Sequence, residues 1–130
     1  MKDIHEAKEY FKFDRFVKEC NIEILEVYDG YCKCSMDIED KLLNAMDSVH
    51  GGAIFTLADF TFAVAANFGG NSTVTQSASI SYIRAGKGKI LYAEAKKVNE
   101  TKSTCVYKIE VTDENGVIIA FATGNGHIKR

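Results

Sequence analysis

The sequence predicts an α+β fold, an antiparallel sheet of five to six strands wrapped around one long central helix, with a further helix at the N-terminus. Three observations point there. The stretch HGGAIFTLADFTFAVAANFGGN, from His50 to Asn71, holds the best helix-forming residues of the chain between two glycine pairs. Beyond it the pattern changes from helical to alternating. Ahead of it lies a strong hairpin signal at Asp29-Gly30.

Placed at about 100° per residue, Ile54, Leu57, Ala58, Ala65 and Phe68 fall on one side of the central helix. Ala53, Phe60 and Val64 fall on a second, and Phe55, Phe62 and Ala66 on a third. A helix apolar all round is buried rather than laid on a surface. Its length and its Thr, Asp and Asn residues argue against a bilayer span. Asp59 is the only formally charged side chain between Ser48 and Ile83. Aspartate competes for local backbone donors and is a poor mid-helix residue. Burying it as an anion is costly unless it is hydrogen-bonded or shifts its pKa. That makes it a candidate functional carboxylate, the plain alternative being a cap for a neighbouring loop.

Residues Asp3 to Cys20 read as one amphipathic helix, with Ile4, Ala7, Phe11 and Val17 inward and Phe13 and Phe16 beside them. It is expected to act as a cover without chemistry of its own. Ile22–Tyr28 and Tyr31–Ile38 form the hairpin, the second arm placing Cys32, Cys34, Met36 and Ile38 on one face. Glu39–Val49 is a connection carrying Asn44. In Thr73–Ile83, Val74, Gln76, Ala78, Ile80 and Tyr82 alternate with Thr75, Ser77, Ser79, Ser81 and Ile83. A basic glycine loop, Arg84 to Lys89, leads to strands at Ile90–Val98 and Thr104–Thr112. After the Asn115-Gly116 turn a last strand, Val117–Thr123, extends towards Ile128. No proline interrupts these strands. Short turns make the sheet antiparallel, and its apolar face is the natural partner of the central helix. One sheet cannot cover the whole circumference, so a second copy of the chain is expected to help.

The 130 residues suit one domain, with 1–20 as the N-terminal helix and 22–128 as the core. A net charge of −2 offers no bulk field for nucleic acid. Cys20, Cys32, Cys34 and Cys105 have no CxxC spacing and read as reduced core thiols. The three histidines are scattered, so no metal site is expected. MKDIHEAKEY is polar and unlike a signal peptide, which predicts a cytoplasmic protein with no membrane partner.

The sequence NAMDSVHGGAIFTLADFTFAVAAN carries a motif: Asn44, then His50-Gly51-Gly52 six residues on, then Asp59 nine after the histidine. In this it resembles the hotdog-fold acyl-CoA thioesterases, and most the phenylacetate-pathway (PaaI-like) branch of the 4-hydroxybenzoyl-CoA thioesterase superfamily. The likeness continues through SISYIRAGKGKILYAEAKKV and TCVYKIEVTDENGVIIAFATG. The resemblance implies the hotdog fold and hydrolysis of an acyl-CoA to free acid and CoA, with no cofactor beyond the CoA of the substrate.

It further implies that Asp59 is the catalytic carboxylate, activating water or attacking the carbonyl directly. The Gly51 backbone N–H, at a helix N-terminus where N–H groups are unpaired and the dipole favours negative charge, would polarise the thioester oxygen. Asn44 would orient carbonyl or water, His50 would orient the loop or touch the substrate, with an orienting role favoured over proton transfer, and Gly52 would lie against the substrate. Thr75 or Ser77, expected on one strand face, would position the water, with Thr75 favoured. Arg84, Lys87 and Lys89 would hold the CoA phosphates. The family also implies a homodimer in which Asp59 of one subunit faces Asn44 and Gly51 of the other, paired further into a homotetramer. Two other readings stand beside it. One is an acyl-thioester hydratase or dehydratase, disfavoured because no histidine follows Asp59 until His127. The other is a non-catalytic acyl-CoA-binding module.

Overall fold

A computed structural model describes residues 1–70 and 72–129; Asn71, the last residue of the glycine-flanked stretch, and Arg130 lie outside the described residues. Two helices, α1 (Ile4–Phe11) and α2 (Arg15–Glu19), precede the hairpin β1 (Ile22–Tyr28) and β2 (Tyr31–Asp37). The long helix α3 (Gly51–Asn67) follows, then β3 (Ser72–Tyr82), β4 (Ile90–Glu100), β5 (Thr104–Asp113) and β6 (Ile118–Lys129). The six strands form one antiparallel sheet in the order β1-β2-β4-β5-β6-β3. Gly30, at φ +77°, makes the tight turn between β1 and β2 that an L side chain would strain.

The sheet wraps α3 as expected. Ala53, Ile54, Leu57, Ala58, Phe60, Phe62 and Val64 are all buried, and together they cover more than half of the helix circumference. One stripe stays partly open: Gly52, Phe55, Thr56, Asp59 and Ala63, spaced three and four residues apart along a single helix face. The expectation that α3 is too short for a bilayer needs correcting. Gly51–Gly70 is long and apolar enough by length and composition to cross one. It is instead mostly buried against the sheet, as the core helix of a folded domain is.

Small residues on the concave face of the sheet, Ala93, Ala95, Ala120 and Ala122, let the helix come close. The Phe62 ring reaches deepest, 5.3 Å from the Tyr107 ring centroid and against Gly124 and Gly126. A Cβ on Gly126 would lie 2.6 Å from Thr73 Cγ2 and 3.0 Å from Cys105 Sγ. Gly126→Ala is therefore expected to destabilise the fold by about 1–3 kcal/mol through overpacking. A denaturant midpoint equal to the wild type's would refute that packing account.

Cys32 and Cys34 sit side by side on the inner face of β2, their sulfurs 3.7 Å apart, and all four cysteines are free and buried. Two local expectations change. The N-terminal segment is two helices, not one. Asp3 caps the first, its carboxylate accepting from Glu6 N at 2.9 Å, and Asp14 starts the second by accepting from Val17 N at 3.2 Å. Within the two helices only Ala7 and Val17 are buried, while Phe13 and Phe16 are 73% and 65% exposed. The second change concerns β3. Thr75 pairs with Gly126 but Ser77 pairs with Asn125, so Gln76 is an extra residue in a β-bulge. The bulge puts Thr75 and Ser77 on opposite faces of the sheet, not on one.

Candidate active site

The start of α3 and its middle hold two separate groups of polar atoms. At the start, His50 is the N-cap, and its Nδ1 accepts from Gly52 N at 2.9 Å. That contact occupies the Gly52 N–H and leaves the imidazole proton on Nε2. The Gly51 N–H donates to no acceptor among the described residues. It lies at the positive end of the helix dipole, where an oxyanion is favoured. The Gly51 carbonyl accepts from the Tyr82 hydroxyl at 3.0 Å, and the Tyr82 ring passes 3.4 Å from where a Gly51 Cβ would stand. Tyr82 thus holds the first turn of α3 from β3. No local pattern signals this contact, because the two residues are 31 positions apart.

Asn44 shapes the connection into α3. Its Oδ1 accepts from Met46 N at 2.9 Å and Ser48 N at 3.2 Å, closing a turn and leaving the amide NH2 as a donor. His50 N donates to Leu42 O and Val49 N to Gly86 O, so this connection is tied to the basic loop. Asn44, Gly51, Tyr82 and Arg84 border one cleft of about 370 Å³ at the N-terminus of α3. Arg84 itself donates from Nη1 to Ile118 O at 2.8 Å. Lys87 and Lys89 are exposed farther along the same loop, which the Lys89 N–H anchors to Glu114 Oε1 at 2.8 Å.

In the middle of α3, Asp59 lies on the partly open stripe. Thr75 Oγ1 donates to Asp59 Oδ1 at 3.2 Å. Burial, more than any other effect, pushes the Asp59 carboxyl above its usual range; the Thr75 hydrogen bond pulls it down, and the negative charge of Asp14 pushes it up again. Asp14 was not singled out from the sequence because it reads as an ordinary surface acid. Ser77 lies away from this group, its Oγ accepting from Asn125 Nδ2 at 2.9 Å on the outer face.

Asp59 is eight residues beyond Gly51, roughly 12 Å along the helix axis at the standard rise. Within one chain the carboxylate and the free N–H cannot reach the same carbonyl. The structure brings together Asn44, His50, Gly51, Gly52 and Arg84 at one end, and Asp59 with Thr75 at the other.

A sheet folded round a buried helix, with a bare N–H at the helix start and a lone carboxylate two turns on, defines a hotdog-fold enzyme. The comparisons with known proteins agree. The family model described as "Thioesterase superfamily" matches residues 46–120. A putative esterase of Archaeoglobus fulgidus is 38% identical over 123 residues, 93% of this chain and 80% of that protein. The acyl-coenzyme A thioesterase PaaI of Escherichia coli is 32% identical over 122 residues, 93% of this chain and 87% of its own length. The solved structure of the E. coli PaaI protein from the phenylacetic acid degradation operon superposes with a TM-score of 0.91 at 30% identity, covering 98% of this chain and 96% of that one. A hypothetical thioesterase of Streptococcus pneumoniae, solved with coenzyme A, gives a TM-score of 0.86 at 28% identity, over 94% and 96% of the two chains. The chain belongs to the thioesterase superfamily, in its PaaI-like hotdog branch, and is a thioester hydrolase.

Proposed function

We propose that this protein hydrolyses an acyl-CoA to the free acid and CoA at a site shared between two copies of the chain. The carrying observation is the separation along α3: Gly51 and Asp59 are too far apart in one chain to act together, and the stripe bearing Asp59 is the one side of α3 the sheet leaves partly open. A two-fold pairing places Asp59 and Thr75 of one subunit against Asn44 and Gly51 of the other. In that site the Gly51 N–H and the Asn44 amide polarise the thioester oxygen. Water attacks the carbonyl carbon and gives its proton to Asp59, whose raised pKa suits a general base. As the C–S bond breaks, Asp59 returns the proton to the departing CoA sulfur. His50 holds the helix start and Thr75 holds the Asp59 carboxylate.

Arg84 borders the cleft at the helix start, and with Lys87 and Lys89 farther along the same loop it supplies the positive charge for the CoA phosphates. Lys87→Ala with Lys89→Ala should raise KM for CoA esters several-fold and leave kcat nearly unchanged. Steady-state kinetics showing an unmoved KM would remove these lysines from the site. Thr75→Val should let the Asp59 pKa rise further, because the lost hydrogen bond favours the charged form. The acidic limb of the pH–rate profile then moves to higher pH, while Ser77→Ala leaves it in place. A profile that shifts equally in both variants would contradict the separation of the two hydroxyls by the bulge.

The function itself is tested by thiol release from a panel of aryl and alkyl acyl-CoAs. Release from at least one class supports hydrolysis; acyl-CoA binding without release from any ester would make the protein a binding module.

A further inference from the structure

Thr75 and Tyr82 both belong to β3, and from this one strand they grip α3 at Asp59 and at Gly51. We infer that Tyr82 is a positioning residue of the hydrolase: by pinning the Gly51–Gly52 peptide it aims the Gly51 N–H at the thioester oxygen. The inference rests on the reading of Gly51 above and adds the group that keeps its N–H in place.

The contact is not one the helix needs. At a helix start the N–H groups lack partners, while the carbonyls are taken up by the helix's own ladder. The Tyr82 hydroxyl, at 3.0 Å, is therefore a second donor to the Gly51 carbonyl. Tyr82 is 50% exposed, so water could serve its hydroxyl without any protein acceptor. What the bond supplies is restraint. Two adjacent glycines have wide backbone freedom, and they stand in a first turn, where helices fray. The Gly51–Gly52 peptide is nevertheless held at both ends, its N–H by His50 Nδ1 at 2.9 Å and its C=O by Tyr82. On the other side of Gly51, the His50 carbonyl accepts from Ala53 N at 2.9 Å and Ile54 N at 3.1 Å. Both peptides flanking the Gly51 α-carbon are thus fixed, and the free N–H points where they set it.

The ring adds a second effect. It passes 3.4 Å from where a Gly51 Cβ would stand and borders the same cleft as Gly51 and Asn44. An aromatic ring there keeps water off one side of Gly51. A hydrogen bond to a developing oxyanion is stronger where water is excluded and the donor needs no reorganisation. Hydroxyl and ring can be removed one at a time, which makes the two effects separable.

The test compares Tyr82→Phe and Tyr82→Ala with Tyr92→Phe, which removes a hydroxyl from the outer face of β4, where Lys33 lies over the Tyr92 ring. The substrate is whichever of a panel of aryl and alkyl acyl-CoAs the wild type hydrolyses fastest. Tyr82→Phe should lower kcat about five- to tenfold, the worth of one neutral hydrogen bond, and leave KM nearly unchanged. Tyr82→Ala should lower kcat by on the order of 10²-fold, as misplaced catalytic groups do. The second readout uses Asp59→Asn protein, which holds the ester without turning it over. Isotope-edited infrared spectroscopy then follows the thioester carbonyl labelled with carbon-13. Its stretch should fall in frequency on binding, and adding Tyr82→Phe should reverse part of that fall. Tyr92→Phe should move neither readout. A Tyr82→Phe protein that keeps kcat and the carbonyl frequency, whatever its melting temperature, overturns the inference alone and leaves Tyr82 a support for the helix start. A carbonyl frequency that does not fall on binding, with Tyr82 intact, overturns the role of the Gly51 N–H and this inference with it. No turnover of any ester by the wild type overturns the hydrolase reading and everything built on it.

Discussion

Asp59→Asn is expected to remove turnover by on the order of 10²-fold or more, the usual contribution of a general base, while making the protein more resistant to heat at neutral pH. Both effects come from one feature. Burial raises the Asp59 pKa in the folded chain, so folding favours the protonated carboxyl. The stabilising contribution of that proton is complete below the unfolded carboxyl pKa. It is lost as pH rises through the higher folded value, and at neutral pH the anion is held at a cost. Asparagine carries no such cost, and its Oδ1 can still accept from the Thr75 hydroxyl. The variant should therefore melt above the wild type at pH 7, with the gap closing as pH falls below the ordinary carboxylate range. Thermal scans at two pH values, beside thiol-release assays, check both halves. A variant that melts lower at pH 7 would mean that Asp59 is a structural cap rather than a functional group held against stability.

That conflict is visible in the sequence, since one charge within an apolar helix stands out wherever the helix packs. The wrapped helix and its six strands are legible for a similar reason. Their periodicities and the Asp29-Gly30 and Asn115-Gly116 turns are local signals, and each agrees with the fold. What escaped notice depends on contacts between distant residues. The break at Lys12–Asp14 arises because Asp14 caps a new helix, though on paper it continues the polar side of the old one. The bulge at Gln76 is hidden in a run of Thr and Ser, where shifting the register by one exchanges similar residues. The hold of Tyr82 on Gly51 spans the whole of α3 and β3. An all-round apolar pattern also cannot say which stripe of the helix stays open. The fold selects Gly52, Phe55, Thr56, Asp59 and Ala63, and so leaves Asp59 partly open.

The second large effect concerns the division of the site between subunits. Asn44→Asp keeps the oxygen that closes the turn to Met46 and Ser48 but removes the NH2 donor, so alone it should be nearly inactive. Asp59→Asn alone should be nearly inactive as well. In the proposed shared site, where Asp59 comes from one chain and Asn44 with Gly51 from the other, a dimer with one chain of each has one site with both defects and one with none. The decisive measurement is the turnover of such heterodimers, co-expressed with two affinity tags and purified on both. A shared site predicts about half the wild-type activity per dimer, one of two symmetric sites being restored. Activity no higher than the mean of the two single variants would contradict it and place the whole site within one chain.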